Sequence, residues 1–223
     1  MKNCILLHGA LADEKQLSLL KQKLIIRFKC FTFTFHGHGK KSEDDTPFSI
    51  ASFSKELKKF ILTNHIAGCD VFGYSMGGFV ATYLSYKNPS LISRVTTYGT
   101  QFNWTPEISA KETSRLNPDV ILSKVPAFAD GLEKTHGKNW KSVLKRTASL
   151  MTGLGAKNPL NETILQSIQN EITILRGSED RMVDSQYSRH VSLLLPNSEF
   201  YEIKGAQHPL HQVDLDALVK YIS

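Results

Sequence analysis

The sequence predicts an α/β fold: a mostly parallel sheet of about six strands with helices on both faces and a helical insertion. Short apolar runs with strand character alternate along the chain with segments of helical periodicity, a pattern typical of strands joined by crossover helices. The alternation stops after the fourth strand, and residues 101–170 carry only helical patterns. The length of 223 residues suits one domain with a substantial core.

Six short apolar segments are predicted to form the strands. Because helical segments join them, neighbouring strands are expected to run parallel, with their carboxyl ends at one edge of the sheet. Polar residues directly after these strands are therefore candidates for a shared site. The predicted strands are residues 3–7, 30–35, 70–72, 94–98, 172–176 and 199–203.

Helices are predicted where apolar residues recur at spacings of three and four. Pro and Gly residues divide the segment 101–170 into three or four of them. The other predicted helices are residues 13–24 with Asp13 as N-cap, the stripe from Ile50 to Ile61, the segment that follows Ser75 and ends at Asn88, and residues 214–221.

Ser75 is the candidate nucleophile. A strand-like apolar run leads directly into Gly73-Tyr74-Ser75-Met76-Gly77, and a helical pattern follows. On so sharp a turn from strand to helix the serine hydroxyl projects above the sheet, and only residues without bulk on either side let the backbone pass closely. A serine nucleophile also needs a base to take its proton and a carboxylate to orient that base.

Asp180 and His208 are the candidate carboxylate and base. Each follows the end of a predicted buried strand, as Ser75 does. In a parallel sheet these three positions meet at one edge, although they are far apart in sequence. The three residues are therefore predicted to form a Ser-His-Asp triad.

Four motifs in this order resemble the α/β-hydrolase superfamily, and the resemblance covers nearly the whole chain. They are His8-Gly9 after the first strand, the loop Gly37-His38-Gly39-Lys40-Lys41-Ser42, the segment Gly73 to Gly77, and the pair Asp180 and His208. The family's chain order of Ser, Asp, His is present. The chain departs from the family in lacking Asp-x-Pro before Gly-His-Gly and in lacking the antiparallel strands that usually precede the first parallel one.

The resemblance implies an oxyanion hole and a lid. The backbone amides of Met76 and Ala10 are the expected oxyanion donors, with Leu11 as the alternative to Ala10. Residues 1–100 and 171–223 would form the hydrolase core, and residues 101–170 a helical lid that shapes the pocket and sheds water from it. Substrate contacts are predicted for Leu11, Tyr74, Phe102 and Trp104.

The triad and the resemblance predict a small-molecule substrate, and composition argues against nucleic-acid and membrane partners. The net charge of +6 is spread over several helical faces, which argues against nucleic acid, and no apolar run approaches the ~20 residues of a membrane span. Neither a cofactor nor a metal is expected, since His36 and His38 lack further ligands at suitable spacing. Three cysteines in or beside apolar runs, Cys4, Cys30 and Cys69, suggest reduced thiols in the cytoplasm. The oligomeric state is left open.

The predicted function is a carboxylesterase-like serine hydrolase that cleaves an ester or thioester of a small, partly apolar substrate through an acyl-enzyme. One alternative is a serine-triad lyase or carbon-carbon hydrolase acting on a small carboxylate. A buried arginine facing Ser75, with Arg115, Arg146 and Arg181 as candidates, would favour it. The other alternative is a ligand-binding protein with little turnover.

Overall fold

A computed structural model describes residues 1–222, and within them one sheet of six parallel strands forms the centre of the molecule. The strand order is β2-β1-β3-β4-β5-β6. This arrangement confirms the predicted fold class. The strands are β1 Lys2–Leu7, β2 Phe28–Phe33, β3 Cys69–Tyr74, β4 Ile92–Tyr98, β5 Glu171–Gly177 and β6 Ser198–Ile203.

Ten α-helices surround the sheet in the described chain. They are α1 Ser18–Leu24, α2 Ile50–Thr63, α3 Met76–Lys87, α4 Pro106–Thr113, α5 Pro118–Lys124, α6 Pro126–His136, α7 Trp140–Ala156, α8 Glu162–Ser167, α9 Ser185–Leu194 and α10 Leu215–Val219. Short 3₁₀ segments occur at Glu14–Leu17, Gly39–Lys41, Pro89–Leu91, Gly137–Asn139 and Leu210–Gln212. No helix of residues 1–222 combines the length and the apolar character needed to cross a bilayer.

Alternating side chains of the strands enter two separate cores, one on each face of the sheet. Ile5 and Leu7 of β1 pack into the larger core with α2, α3 and α9, whereas Cys4 and Leu6 pack into the smaller core with α1 and α10. This is the period of two expected for a strand that is buried on both faces. Helices on both faces are thus required to cover the sheet.

Most element boundaries lie within two residues of the sequence prediction, and two elements show how the structure sets them. Strand β2 was expected at 30–35 but spans Phe28–Phe33, because Lys2 pairs with Phe28 and Leu7 with Phe33. Beyond that register, the Phe35 amide donates to His8 Nε2 at 3.1 Å, outside the strand ladder. The last helix was predicted at 214–221 and spans Leu215–Val219, with Asp214 outside it as the N-cap that accepts from the Asp216 amide.

Within residues 101–170, five helices, α4 to α8, separate β4 from β5, where three or four were predicted. A third small core joins α5, α6 and α7 through Ile121, Ala129, Leu132, Trp140 and Leu144. Val143, Leu150 and Leu154, on an adjacent face of α7, belong to the larger core of the sheet. The insertion therefore shares a core with the sheet as well as having one of its own.

Candidate active site

The turn from β3 to α3 holds Ser75 in a strained backbone conformation. Its φ is 50° and its ψ is −114°, values that residues with a side chain rarely adopt. A Cβ atom on Gly73 would lie 2.4 Å from the Gly78 amide nitrogen, and one on Gly77 would lie 2.6 Å from the Leu7 carbonyl oxygen. Gly73 must therefore be glycine for the turn to lie close to α3, and Gly77 must be glycine for it to pack against β1.

Hydrogen bonds from β4 and the loop after it keep the Ser75 backbone in place. The Ser75 amide donates to the Tyr98 carbonyl at 2.8 Å. The Thr100 hydroxyl donates to the Ser75 carbonyl at 3.0 Å. These contacts fix the turn from the neighbouring strand, which explains how its strain is sustained.

His208 and Asp180 are hydrogen-bonded to each other. His208 Nδ1 lies 2.8 Å from Asp180 Oδ2, and the Asp180 side chain is fully enclosed. The other carboxylate oxygen accepts from the amides of Met182 at 2.8 Å and Val183 at 3.0 Å. Burial raises the pKa of Asp180, but the bond to His208 and these amides outweigh it, and the pKa is lowered. Asp180 is thus ionised at neutral pH.

Arg176, at the end of β5, supports the loop that carries Asp180. Its guanidinium donates to the carbonyls of Asp180 at 2.7 Å and Val183 at 2.8 Å, and it pairs with Glu202 of β6 at 2.7 Å. Sequence analysis missed this residue. The available signal was a charged residue inside an otherwise apolar strand.

The three predicted triad residues lie at the carboxyl edge of the sheet. Gly99, just after β4, is the common neighbour of His208 and Asp180, because its Cβ would lie 3.2 Å from the His208 ring and 3.6 Å from Asp180 Oδ2. The Tyr74 ring, directly before Ser75, lies 5.6 Å from that of His208. His208 is hydrogen-bonded to Asp180, but Ser75 Oγ makes no hydrogen bond within the described chain, so a Ser75–His208 bond stays a prediction.

The loop that follows β1 and contains Gly9 and Ala10, here called the β1 loop, also lies close to Ser75. A Cβ on Gly9 would lie 3.4 Å from the Ser75 Cβ, and the Gly9 amide donates to Gln16 Oε1 at 2.9 Å. Ala10 and Met76 line the same pocket as Ser75. Their amides have no hydrogen-bond partner among residues 1–222, so both are available to an oxygen atom in the pocket.

An apolar pocket beside Ser75 is almost filled. Its free volume of about 30 Å³ is close to that of one water molecule. Trp104, one of the predicted substrate contacts, lines it together with several residues that sequence analysis did not assign to substrate, and contact between Trp104 and substrate stays a prediction. Its remaining lining residues are Ala10, Ile50, Met76, Phe79, Gln101, Leu150, Met151, Leu154 and Met182.

The other three predicted substrate contacts do not line this pocket. Phe102 is buried and stacks on Phe79 at 5.9 Å, behind the pocket wall. Tyr74 packs between Tyr98 and His208. Leu11 has a φ of 62° and lines a separate groove beside α6. Their contact with substrate stays a prediction.

A cluster of buried histidines connects the β1 loop to the insertion. His136, at the end of α6, accepts from the Gly39 amide at Nδ1 (2.9 Å), so its other nitrogen, Nε2, donates to the Leu11 carbonyl (3.1 Å). His8 and His38 lie 5.2 Å apart beneath it. Burial lowers the pKa of all three, that of His8 to about 4. They are neutral at pH 7.

The remaining charged candidates lie away from Ser75. His36 pairs with Glu56 at 2.8 Å, and residues 1–222 contain no group of three side chains placed to hold a metal ion. Arg115 pairs with Glu112, and Arg146 lies over the Phe48 ring at 4.0 Å. Arg181 lines a different groove near Asp180, and none of these three arginines lines the Ser75 pocket.

The family model for the alpha/beta hydrolase fold matches residues 5–144, more than half of the sequence. The chain belongs to this family. The match includes the β1 loop, the Ser75 turn and the insertion as far as α7.

Individual relatives are more distant. A chloroplastic pheophytinase of Arabidopsis thaliana is 23% identical over 84% of this chain and 47% of its own length. An uncharacterized protein of Mycobacterium tuberculosis is 25% identical over 41% of this chain and 27% of its own length. The chain thus matches less than half the length of either relative.

The fold itself recurs in solved structures. The enol-lactonase from Burkholderia xenovorans LB400 has a TM-score of 0.78 and 16% identity, with 99% of this chain and 89% of that chain covered. At this level of identity the likeness shows the shared fold.

Proposed function

We propose that this protein is a serine hydrolase that cleaves an ester or thioester of a small, partly apolar substrate. Ser75 would attack the carbonyl carbon while His208 takes the hydroxyl proton. Asp180 would hold the imidazole in the correct tautomer and stabilise its charged form. The amides of Ala10 and Met76 would bind the oxygen that becomes negative in the tetrahedral intermediate.

Two further steps, departure of the leaving group and hydrolysis of the acyl-enzyme, would complete the reaction. His208 returns its proton to the leaving alcohol or thiol, and the acyl group stays on Ser75. Water then attacks the acyl-enzyme with His208 again as base, which regenerates free Ser75. The helical insertion would act as a lid over these steps.

The observation that carries the proposal is the enclosed Asp180–His208 pair, 2.8 Å apart, at the same sheet edge as the strained Ser75 turn. If Asp180 and His208 only stabilised the fold as an ion pair, neither a fully buried carboxylate nor a serine in a strained turn at the same sheet edge would be needed. The apolar pocket favours an ester over a small carboxylate substrate. The lyase alternative calls for an arginine facing Ser75, which none of the three proposed arginines provides.

The proposal is tested with a small fluorophosphonate and intact-mass spectrometry. Wild type should gain one adduct and Ser75→Ala none, and Ser75→Ala should lose ester hydrolysis while retaining its thermal stability. Thermal melting is the control for folding, since a folding defect in Ser75→Ala would shift the melting curve. Equal ester turnover by both proteins would overturn the nucleophile assignment.

A further inference from the structure

An apolar groove runs along the surface between the start of α2 and the second half of α7. It encloses about 280 Å³. Phe48, Ile50, Leu150, Gly153 and Leu154 line it, and the exposed Lys157 lies at one end. Since α7 rises about 1.5 Å per residue, the seven steps from Leu150 to Lys157 extend over about 10 Å.

The groove and the Ser75 pocket share a wall. Ile50, Leu150 and Leu154 line both spaces. Each of these side chains is buried. Leu150 and Leu154 are one helical turn apart and so lie on the same side of α7. A layer of three aliphatic side chains thus separates the groove from the pocket that contains Ser75.

We infer that the groove holds an unbranched apolar chain of the substrate, which passes between these three side chains to reach Ser75. This inference rests on the proposed ester hydrolysis. The Ser75 pocket has free space for about one water molecule, which is enough for the methyl group of an acetate but too little for a longer chain attached to a scissile carbonyl. The groove supplies that space on the far side of an aliphatic wall.

The physical gain comes from burying methylene groups. Each buried methylene contributes about 0.8 kcal/mol, or up to about fourfold in kcat/KM. Because the groove is finite and ends near the charged Lys157, the gain should stop once the chain fills it.

Gly153 offers a way to block the groove without disturbing the site. A Cβ added there meets no atom within 4 Å. The position therefore accepts a side chain without a clash at Cβ, and we expect tryptophan to block the groove and alanine to leave it open. Thr152, the preceding residue of α7, is exposed and lines neither the groove nor the Ser75 pocket, so Thr152→Trp is the matched control.

The experiment measures kcat/KM for p-nitrophenyl esters from acetate to dodecanoate. Wild type, Gly153→Ala and Thr152→Trp should show a rise with chain length and then a plateau. Gly153→Trp should hydrolyse the acetate normally and lose most of that rise. A flat profile in wild type, or an unchanged profile in Gly153→Trp, would overturn the inference.

Failure of the proposed function gives a different result. Wild type would then hydrolyse no ester, the acetate included, and Ser75 would not react with the fluorophosphonate; the inference would fall with it. Acetate hydrolysis together with a flat chain-length profile overturns the groove alone. Thermal melting of each variant identifies any that is unfolded.

Discussion

At the residue scale, His136 joins three parts of the structure that the sequence shows separately. Its ring connects the end of α6 to the Gly39 loop and to Leu11, which follows the proposed oxyanion donor Ala10. Leu11 has a left-handed backbone, with φ at 62°. We expect the bond to its carbonyl to help hold the Ala10 amide in place.

A pair of substitutions separates the two bonds of His136. Glutamine can place an amide N–H where Nε2 stands and so keep the bond to Leu11. Asparagine can place an oxygen where Nδ1 stands and so keep the bond to Gly39. We expect His136→Asn to lower the kcat of ester hydrolysis by about 10- to 100-fold, because the oxyanion loop shifts, and His136→Gln to stay close to wild type.

The check is kcat and KM for both variants on one ester, with thermal melting alongside. Both variants lose one buried hydrogen bond, so a purely structural role predicts similar losses of stability and of activity. Equal kcat values for the two would contradict positioning of the loop through Leu11.

The buried histidines also make stability depend on pH. His8, His38 and His136 have folded-state pKa values below the unfolded value of about 6.5, with that of His8 at about 4. Below pH 6.5 the unfolded chain therefore binds more protons than the folded one. The free energy of unfolding should be constant above about pH 7 and fall as the pH drops from 6.5 towards 4.

Urea unfolding between pH 8 and pH 4.5 measures this dependence. The midpoint should decrease steadily on the acid side of pH 6.5, and His136→Gln should show a shallower decrease. Asp180 also loses stabilisation when it is protonated, but its lowered pKa moves that loss to more acidic pH. A midpoint that rises or stays level down to pH 4.5 would refute the assignment of neutral buried histidines.

At the element scale, α7 is the helix that connects the insertion to the sheet. Trp140 and Leu144 pack into the small core with α5 and α6, and Leu150 and Leu154, on an adjacent face, pack into the larger core and line the Ser75 pocket. Two glycines near its end have opposite surroundings. A Cβ on Gly155 would lie 2.2 Å from Ser109 Oγ of α4, whereas a Cβ on Gly153 meets nothing within 4 Å.

These surroundings predict stability changes of opposite sign. Gly153→Ala should stabilise the protein by about 0.5–1 kcal/mol, because alanine costs less backbone entropy in a helix. Gly155→Ala should destabilise it by about 1–3 kcal/mol, since α4 must move away from α7. Chemical denaturation of the two variants measures both changes, and a stabilising Gly155→Ala would show that α4 and α7 do not pack this closely.

At the scale of the whole molecule, the insertion and the sheet are expected to unfold together. Both tryptophans of the chain, Trp104 and Trp140, are in residues 101–170 and are buried. Trp104 belongs to the larger core that α2, α3 and the strands also form. Loss of the insertion would expose that core to water, so neither part should remain folded alone.

Guanidinium unfolding followed by two probes tests this expectation. Tryptophan fluorescence reports on the insertion, and far-UV circular dichroism reports on all helices and strands. The two transitions should coincide, as for a single cooperative unit. A fluorescence transition at lower guanidinium concentration would mean that the insertion melts as a separate unit.

Local sequence patterns account for the fold class and for the order of its elements. Apolar runs in the sequence predicted all six strands. Strand β2 lies two residues earlier than predicted, because its position depends on its register with the neighbouring strand. The Gly-x-Ser-x-Gly pattern around Ser75 and the cap at Asp13 could be predicted because both are patterns of neighbouring residues. The close approach of Gly77 to Leu7 of β1, which explains why a glycine is needed there, appears only in the folded chain.

The sequence by itself determined the parallel sheet and the candidate residues Ser75, Asp180 and His208, since each follows a recognisable strand. Only the tertiary structure decided that Arg176 holds the Asp180 loop, that His136 reaches Leu11, and that Trp104 faces the pocket whereas Phe102 lies behind it. These contacts join residues that are distant in sequence or depend on the direction of a side chain. They follow from how helices and strands pack against each other, which periodicity along the chain does not encode.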